Sequence, residues 1–263
     1  MKYSTRPLLS VIVTAHLRPK LLARSIASIK QQGVSSVEIL VCADESSSET
    51  KSVALASLET TDSILAIPGL RGPAQTRNIG VSVARGDWIC FLDDDDSFQL
   101  SYFPQVIPLL QNGSDRVYFC NYQKVVEDRA VWPPTELGRT VLRTGEHSIG
   151  ELMIGNFIPI NALFIPASFA KGVFFDEFLR SHEDWDYLIA LSSRYQFQHL
   201  DFFGAIVHSD GGPSRNGDAQ VSLSIAYDYL SIYRKWPASS CEVVAARHRV
   251  MSSFGLVTPT QCL

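Results

Sequence analysis

Asp93, Asp94, Asp95 and Asp96 stand in an unbroken row after a short apolar run, Trp88-Ile89-Cys90-Phe91-Leu92. Like charges this close repel and raise one another's pKa values, so packing alone does not explain them. A divalent cation would relieve the repulsion and give the carboxylates a task. If the strand continues through the row, alternation sends Asp93 and Asp95 to one side and Asp94 and Asp96 to the other. Asp93 and Asp95 are then the natural metal pair, and Asp94 is left to accept hydrogen bonds from a sugar hydroxyl. The competing use is an acidic turn in which Asp96 caps a helix starting near Phe98, although four acids exceed what a cap needs. A second acidic stretch, His182-Glu183-Asp184-Trp185-Asp186, follows Ser181, which could make a capping box with Asp184. A capped helix start is a rigid mount for a functional carboxylate.

The elements around these residues alternate. Residues 8–15, 37–43, 63–67 and 87–92 read as strands, and 19–32, 49–58 and 72–85 as helices between them. Pro73 sits in the first turn of the third helix and Gly86 just past its end. Such alternation means βαβ units and a mainly parallel sheet. In sheets of this kind ligands bind outside the carboxyl ends of the strands, where the aspartates are delivered. After Asp96 the rhythm changes: helix 98–111, strand 116–126, a loop with short strands to 150, strand 161–165, helix 183–195, strand 197–208, a Gly/Ser-rich loop expected to be mobile over 209–218, and helix 219–236 with room for another. The change of pattern separates a nucleotide-binding-like half (1–112), a mixed half (113–218) and a C-terminal helical tail (219–263).

Composition bounds the partners. The 263 residues are 46% hydrophobic and 19% charged, which is ordinary globular usage. The net charge of −4 leaves no basic field for nucleic acid. Cys42, Cys90 and Cys120 fall inside apolar strands, and no cysteine spacing suits zinc; they read as buried hydrophobes in a reducing, cytoplasmic setting. No stretch approaches an uninterrupted membrane span, and the N-terminus lacks the apolar segment of a signal peptide. Neither G-x-G-x-x-G nor a P-loop follows the first strand, so a nucleotide must be held another way.

The stretch from Gly72 to Phe98, GPAQTRNIGVSVARGDWICFLDDDDSF, resembles the central signature of family-two glycosyltransferases with the GT-A fold. Thr76-Arg77-Asn78-Ile79-Gly80, Ala84-Arg85-Gly86-Asp87-Trp88-Ile89 and the DxD triplet Asp93-Asp94-Asp95 follow that signature in order and spacing. The opening strand through Thr14 and the helix after it are similar too, and the likeness runs from about Leu8 to His208. It implies a Rossmann-like α/β sheet flanked by helices, with a mixed acceptor-side subdomain. It implies Asp95 as the main ligand of Mn²⁺ or Mg²⁺ on a donor diphosphate, with Asp93 or Asp94 on metal, water or ribose. Thr14, Asp44, Arg77 and Asp94 would bind the nucleotide-sugar, with Arg77 near its base or phosphate. Asp184 would be the catalytic base and Glu183 the fallback. One base and a diphosphate leaving group suffice for single displacement with inversion, unlike the paired carboxylates of retaining hydrolysis. His208 would reach the diphosphate or metal, helped by Ser209, Ser214 and Arg215, or else be a structural histidine. An exposed helix arginine is the alternative for Arg77. The acceptor, a glycan or lipid-linked hydroxyl of cell-surface polysaccharide synthesis, would lie between the Asp184 helix and residues 119–155. The enzyme would be cytoplasmic or peripheral at the inner face of the membrane. Ala15 and His16 replace the family's usual aromatic and Asn, and Ala43-Asp44-Glu45-Ser46 its Asp-Asp-Gly-Ser, which leaves UDP as a default donor nucleotide.

Three other readings compete. A haloacid-dehalogenase-type phosphatase has a strand followed by DxD, but its motif opens the fold, whereas three βα units precede this one. A nucleotidyltransferase shares the topology but needs a Gly-rich loop after the first strand. A non-catalytic nucleotide-sugar-binding scaffold would not need intact acids at both motifs.

Overall fold

The computed structural model describes residues 6–44, 47–69, 71–179, 181–211 and 219–256. Glu45, Ser46, Ser214 and Arg215 lie outside them, as does most of the loop expected over 209–218. Among the described residues nine strands form one sheet, ordered β3-β2-β1-β4-β8-β6-β9-β5, with β7 paired to β6.

The first half is parallel. β1 (Leu9–Ala15), β2 (Val37–Asp44), β3 (Ser63–Ile67) and β4 (Trp88–Asp93) pair in parallel. β1, β2 and β4 are buried almost throughout, as parallel strands covered by helices on both faces must be. α1 (Pro19–Lys30) buries Leu22, Ile26 and Ile29, and α2 (Ser48–Ser57) is capped by the Ser47 hydroxyl. α3 (Gly72–Val83) comes so close to β1 that a Cβ on Gly80 would sit 2.5 Å from Ile12 Cγ2, a physical reason for the glycine in Thr-Arg-Asn-x-Gly. Cys42, Cys90 and Cys120 are fully buried. The register aligns the strand ends: Thr14 pairs with Asp93 and Cys42, and Asp44 lies two residues beyond Cys42.

The second half is mixed. β8 (Leu163–Pro166) runs antiparallel to β4 and to β6 (Arg116–Asp128) and so joins the halves. β9 (Gln196–Asp210) runs parallel to β6 with register shifts around Asn121. β7 (Thr135–Leu142) forms a hairpin on β6, where the sequence predicts only a loop with short strands. Phe98 is not helical: β5 (Ser97–Phe98) pairs with β9, and α4 (Tyr102–Gln111) starts four residues later. Asp96 therefore caps no helix.

α5 is a single turn (Ala167–Ala170). α6 (Glu183–Ser192) is buttressed by α7 (Ala219–Lys235) and α8 (Cys241–Ser253). The α6 residue Asp186 accepts from Lys235 at 2.8 Å and from the Trp236 indole at 2.8 Å. Buried Arg247 on α8 donates to the carbonyls of Met153 and Trp236. Among the described residues no helix is long and apolar enough to cross a membrane.

Candidate active site at the strand ends

The carboxyl ends of β1, β2 and β4 open into a cavity of about 460 Å³. Thr14, Asp44, Arg77, Asp93, Asp95 and Glu183 line it, with Ala15, His16, Arg18, Gly72, Pro73 and Thr76. Asp94, Asp184 and His208 are not in the lining.

The aspartate row is divided between the cavity and the interior. β4 ends at Asp93, and Asp94-Asp95 form a turn, yet Asp93 and Asp95 still face the cavity while Asp94 and Asp96 are buried. The buried Ser25 hydroxyl of α1 holds this turn by its carbonyls, 2.9 Å from that of Asp94 and 2.5 Å from that of Asp96. Asp94 Oδ2 accepts the His16 N–H at 2.8 Å. Its Oδ1 lies 2.5 Å from an Arg18 nitrogen, an ion-pair contact not aligned as a hydrogen bond. Burial pushes the Asp94 pKa up to about 6 despite Arg18 and the His16 N–H. Asp96 accepts from the His208 N–H at 2.8 Å and from Asn161 Nδ2 at 2.9 Å; burial first, then Asp93 and Asp95, drive its pKa well up.

Guanidinium groups meet the repulsion within the row, for which the sequence suggests only a divalent cation. Arg18 and Arg129 both donate to Asp95 Oδ2, at 2.6 and 3.1 Å, and Arg24 donates to the Asp95 carbonyl. Arg77 is buried, which removes the exposed-helix reading. It bridges β4 to α6, with Nη2 2.8 Å from Asp93 Oδ1 and Nη1 2.6 Å from Glu183 Oε1. Burial alone would push the Arg77 pKa down; the charges of Asp93, Glu183 and Asp184 outweigh it and push it up. Asp93 mirrors this. Desolvation raises its pKa, but the Arg77 charge, hydrogen bonds from Thr14 (2.6 Å) and Arg77, and the charge of Arg18 bring it below the ordinary value.

Asp44 takes the backbone N–H of Arg71 on one oxygen at 2.8 Å and that of Gly72 on the other at 2.9 Å. It thereby ties the entry of α3 to the end of β2, and each carboxylate oxygen retains a further lone pair. Asp184 does not form the expected capping box. His182, with φ of 62°, occupies the position before α6, and the Ser181 N–H and hydroxyl both donate to Asp228 Oδ2 at 2.7 Å. Asp184 Oδ1 accepts the Trp185 N–H at 2.7 Å, and Oδ2 accepts Asn156 Nδ2 at 3.0 Å. Desolvation and the neighbouring Glu183 charge push the Asp184 pKa up to about 6, with Arg77 and the Trp185 N–H offsetting part of the rise.

His208 sits behind the aspartates with both ring nitrogens engaged: Nδ1 is 3.0 Å from Glu127 Oε2 and Nε2 is 2.9 Å from Ser97 Oγ. Burial and the Arg24 charge lower its pKa against the pull of Glu127. A neutral ring with the proton on Nδ1 satisfies both partners, since Glu127 only accepts. Ser209 Oγ turns away to the Val125 carbonyl at 3.4 Å. Sequence reasoning missed Arg24, Glu127, Arg129 and Asn156. No local pattern ties Glu127 and Arg129 at the end of β6 to Asp95 more than 30 residues away.

A divalent cation fits these donors. Asp93 uses only Oδ1 for Thr14 and Arg77, and Asp95 only Oδ2 for Arg18 and Arg129. Among the described residues Asp93 Oδ2 and Asp95 Oδ1 accept no hydrogen bond. Magnesium-type sites commonly use one or two carboxylates completed by substrate phosphates and water. Accordingly, no group of three or more His, Cys, Asp or Glu among the described residues could hold a cation alone.

The mainly parallel sheet flanked by helices is that of the GT-A class, and the model of glycosyl transferase family 2 matches residues 10–175. The chain belongs to that family, which leaves no place for the haloacid-dehalogenase reading. It is 25% identical over 192 residues to the amylovoran biosynthesis glycosyltransferase AmsB of Erwinia amylovora, covering 68% of this chain and 62% of AmsB. It is 41% identical over 93 residues to the GalNAc(5)-diNAcBac-PP-undecaprenol beta-1,3-glucosyltransferase of Campylobacter jejuni, covering 34% of this chain and 30% of that protein. The chain thus matches less than two thirds of either relative. S. aureus TarS 1-349 in complex with UDP-GlcNAc superposes with a TM-score of 0.64 at 17% identity, covering 94% of this chain and 71% of that one. The mannosyltransferase PcManGT of Pyrobaculum calidifontis in complex with GDP-Man and Mn²⁺ gives 0.63 at 13% identity, covering 97% and 71%. Likeness at these identities establishes the fold.

Proposed function

We propose that this chain is an inverting, divalent-metal-dependent glycosyltransferase that moves a sugar from a nucleotide diphosphate donor, UDP by default, to a hydroxyl of a glycan or lipid-linked acceptor. The observation that carries this is the charge of the cavity. Among its described lining residues two guanidiniums, Arg18 and Arg77, face four carboxylates, Asp44, Asp93, Asp95 and Glu183. That is a formal balance of −2, and it would repel a diphosphate unless a dication came with it. Asp93 and Asp95 would hold Mn²⁺ or Mg²⁺, which when bound neutralises charge on the diphosphate.

Thr14, Asp44 and Arg77 would bind the donor's nucleoside and phosphates. Buried Asp94 would act from behind, by holding the His16 backbone and Arg18. His208 would act indirectly too, through Asp96 and Glu127. Asp184 would take the proton of the acceptor hydroxyl as its oxygen bonds to the anomeric carbon and the bond to the diphosphate breaks. A pKa near 6 suits a base that must be unprotonated at neutral pH. Asn156 orients that carboxylate, so the acceptor would approach between α6 and the segment ending at residue 155. Glu183 is committed to Arg77, which favours Asp184 over it as the base. The names of the relatives support a role in polysaccharide or lipid-linked glycan synthesis; the chain would act in the cytoplasm or peripherally at the inner face of the membrane.

The test is release of nucleoside diphosphate from a panel of UDP-, GDP- and dTDP-sugars with Mn²⁺ or Mg²⁺, for the wild type and Asp184→Asn. Release from one donor that needs metal and is lost in the variant supports the reading; equal release by both proteins contradicts it.

A further inference from the structure

Asp95 has two cationic partners, and their settings differ. Arg18 forms the wall between the donor cavity and a neighbouring cavity of about 340 Å³. Arg129 lines the second cavity and is not in the lining of the donor cavity. The Arg18 side chain is 42% exposed and that of Arg129 18%. Both guanidiniums converge on the same oxygen, Asp95 Oδ2. Arg129 is anchored independently of Asp95, through Nε to Glu127 Oε1 at 2.9 Å and through Nη2 to the His208 carbonyl at 3.1 Å. Glu127 is itself buried and tied to Arg24 and His208. Arg129 can therefore let go of Asp95 and stay at the rim of the site.

Resting on the proposed donor site, we infer that Arg18 and Arg129 are placeholder cations that are exchanged at Asp95. Without a divalent cation they neutralise its carboxylate. With a dication on the free Oδ1 of Asp95, its charge would repel both guanidiniums from Oδ2 beside the place where the diphosphate arrives; Arg18 would keep Asp94 and Arg129 would keep Glu127, and their released nitrogens would turn to the diphosphate oxygens. Carboxylate and phosphate oxygens suit the same planar, forked donor, so one anion replaces the other without a guanidinium being left unpaired. Cation and diphosphate then bind with positive coupling, and that coupling is reciprocal. The arginines weaken the cation's hold when it comes alone and strengthen the diphosphate's hold once the cation is present.

This predicts opposite shifts from a single substitution. In the full chain, Arg129→Gln should bind Mn²⁺ alone more tightly than wild type, by about fivefold or more, read by the loss of the free-ion electron paramagnetic resonance signal. The same variant should bind inorganic diphosphate at saturating Mn²⁺ more weakly, by a similar factor, read by calorimetry. Arg18→Gln, at a more exposed position, should move both affinities in the same directions and serves if Arg129→Gln does not fold. A merely structural arginine would move both affinities one way. If both weaken together, or neither moves, while wild type binds Mn²⁺ and diphosphate, the exchange is overturned and the donor site stands. If the wild type binds diphosphate with no dependence on Mn²⁺, the metal reading falls, and the exchange with it.

Discussion

The strand-end region and the start of α6 treat a carboxylate in opposite ways. At the end of β4, Asp93 is ringed by Arg77, Thr14 and Arg18, which outweigh the cost of burial and hold its pKa below the usual range. At the start of α6, Asp184 receives the Trp185 N–H and the Asn156 amide, but it sits against the charge of Glu183 in a poorly solvated place, and its pKa rises to about 6. A carboxylate kept charged at every working pH suits a cation; one that titrates near neutrality suits a proton. Environments that push paired acids apart in this way distinguish the acid that holds charge from the acid that moves a proton. Arg77 reaches Asp93 with one nitrogen and Glu183, the neighbour of Asp184, with the other, and its charge lowers the pKa of both Asp93 and Asp184.

Substitution can break this division at either end. Asp95→Ala should abolish metal-dependent nucleotide-sugar binding, a loss of about 100-fold or more, measured by calorimetry with and without Mn²⁺. Asp184→Asn should leave that binding within a few-fold and lower turnover by about 10²–10⁴; near-normal turnover would end its assignment as the base. The pH profile sharpens the same contrast. A base with a raised pKa works only when unprotonated, so kcat should fall tenfold per pH unit below about 6 and level off above it, while any residual turnover of Asp184→Asn should lack that limb. Glu127→Gln touches neither carboxylate directly. It removes the charge facing Arg24, Arg129 and His208, and should weaken metal-dependent donor binding a few-fold. It should also cost about 1–3 kcal/mol of stability, a fall in melting temperature of about 2–10 °C at this chain length.

The strand-end region was the more legible of the two because its parts are close in sequence. Thr14, Arg77 and the aspartate row sit on adjacent βα units whose apolar runs and turns mark their own boundaries, and the parallel register brings Thr14 opposite Asp93. Alternation predicts outward Asp93 and Asp95 and inward Asp94 and Asp96, and that facing is found, but β4 stops at Asp93 and it is a turn that produces it. The second region was harder. Phe98 looks like the start of a helix from its apolar neighbours, but β9 recruits Ser97 and Phe98 as an edge strand, a choice made by a partner more than 100 residues away. Ser181 looks like a cap until Asp228 on α7 claims both its N–H and its hydroxyl. The arginines around Asp95 come from the start of α1, from within it and from the segment after β6, so the charge balance of the site belongs to the fold and to no local motif.

The proposed donor site takes a nucleotide-sugar only together with a divalent cation. Thermal-shift or calorimetric titration with UDP-, GDP-, dTDP- and CMP-sugars, each with and without Mn²⁺, tests it most directly. The expected result is metal-dependent stabilisation by one nucleotide class, abolished in Asp95→Ala. Binding of a nucleotide-sugar that is equally strong without the cation, or unchanged in Asp95→Ala, would contradict it.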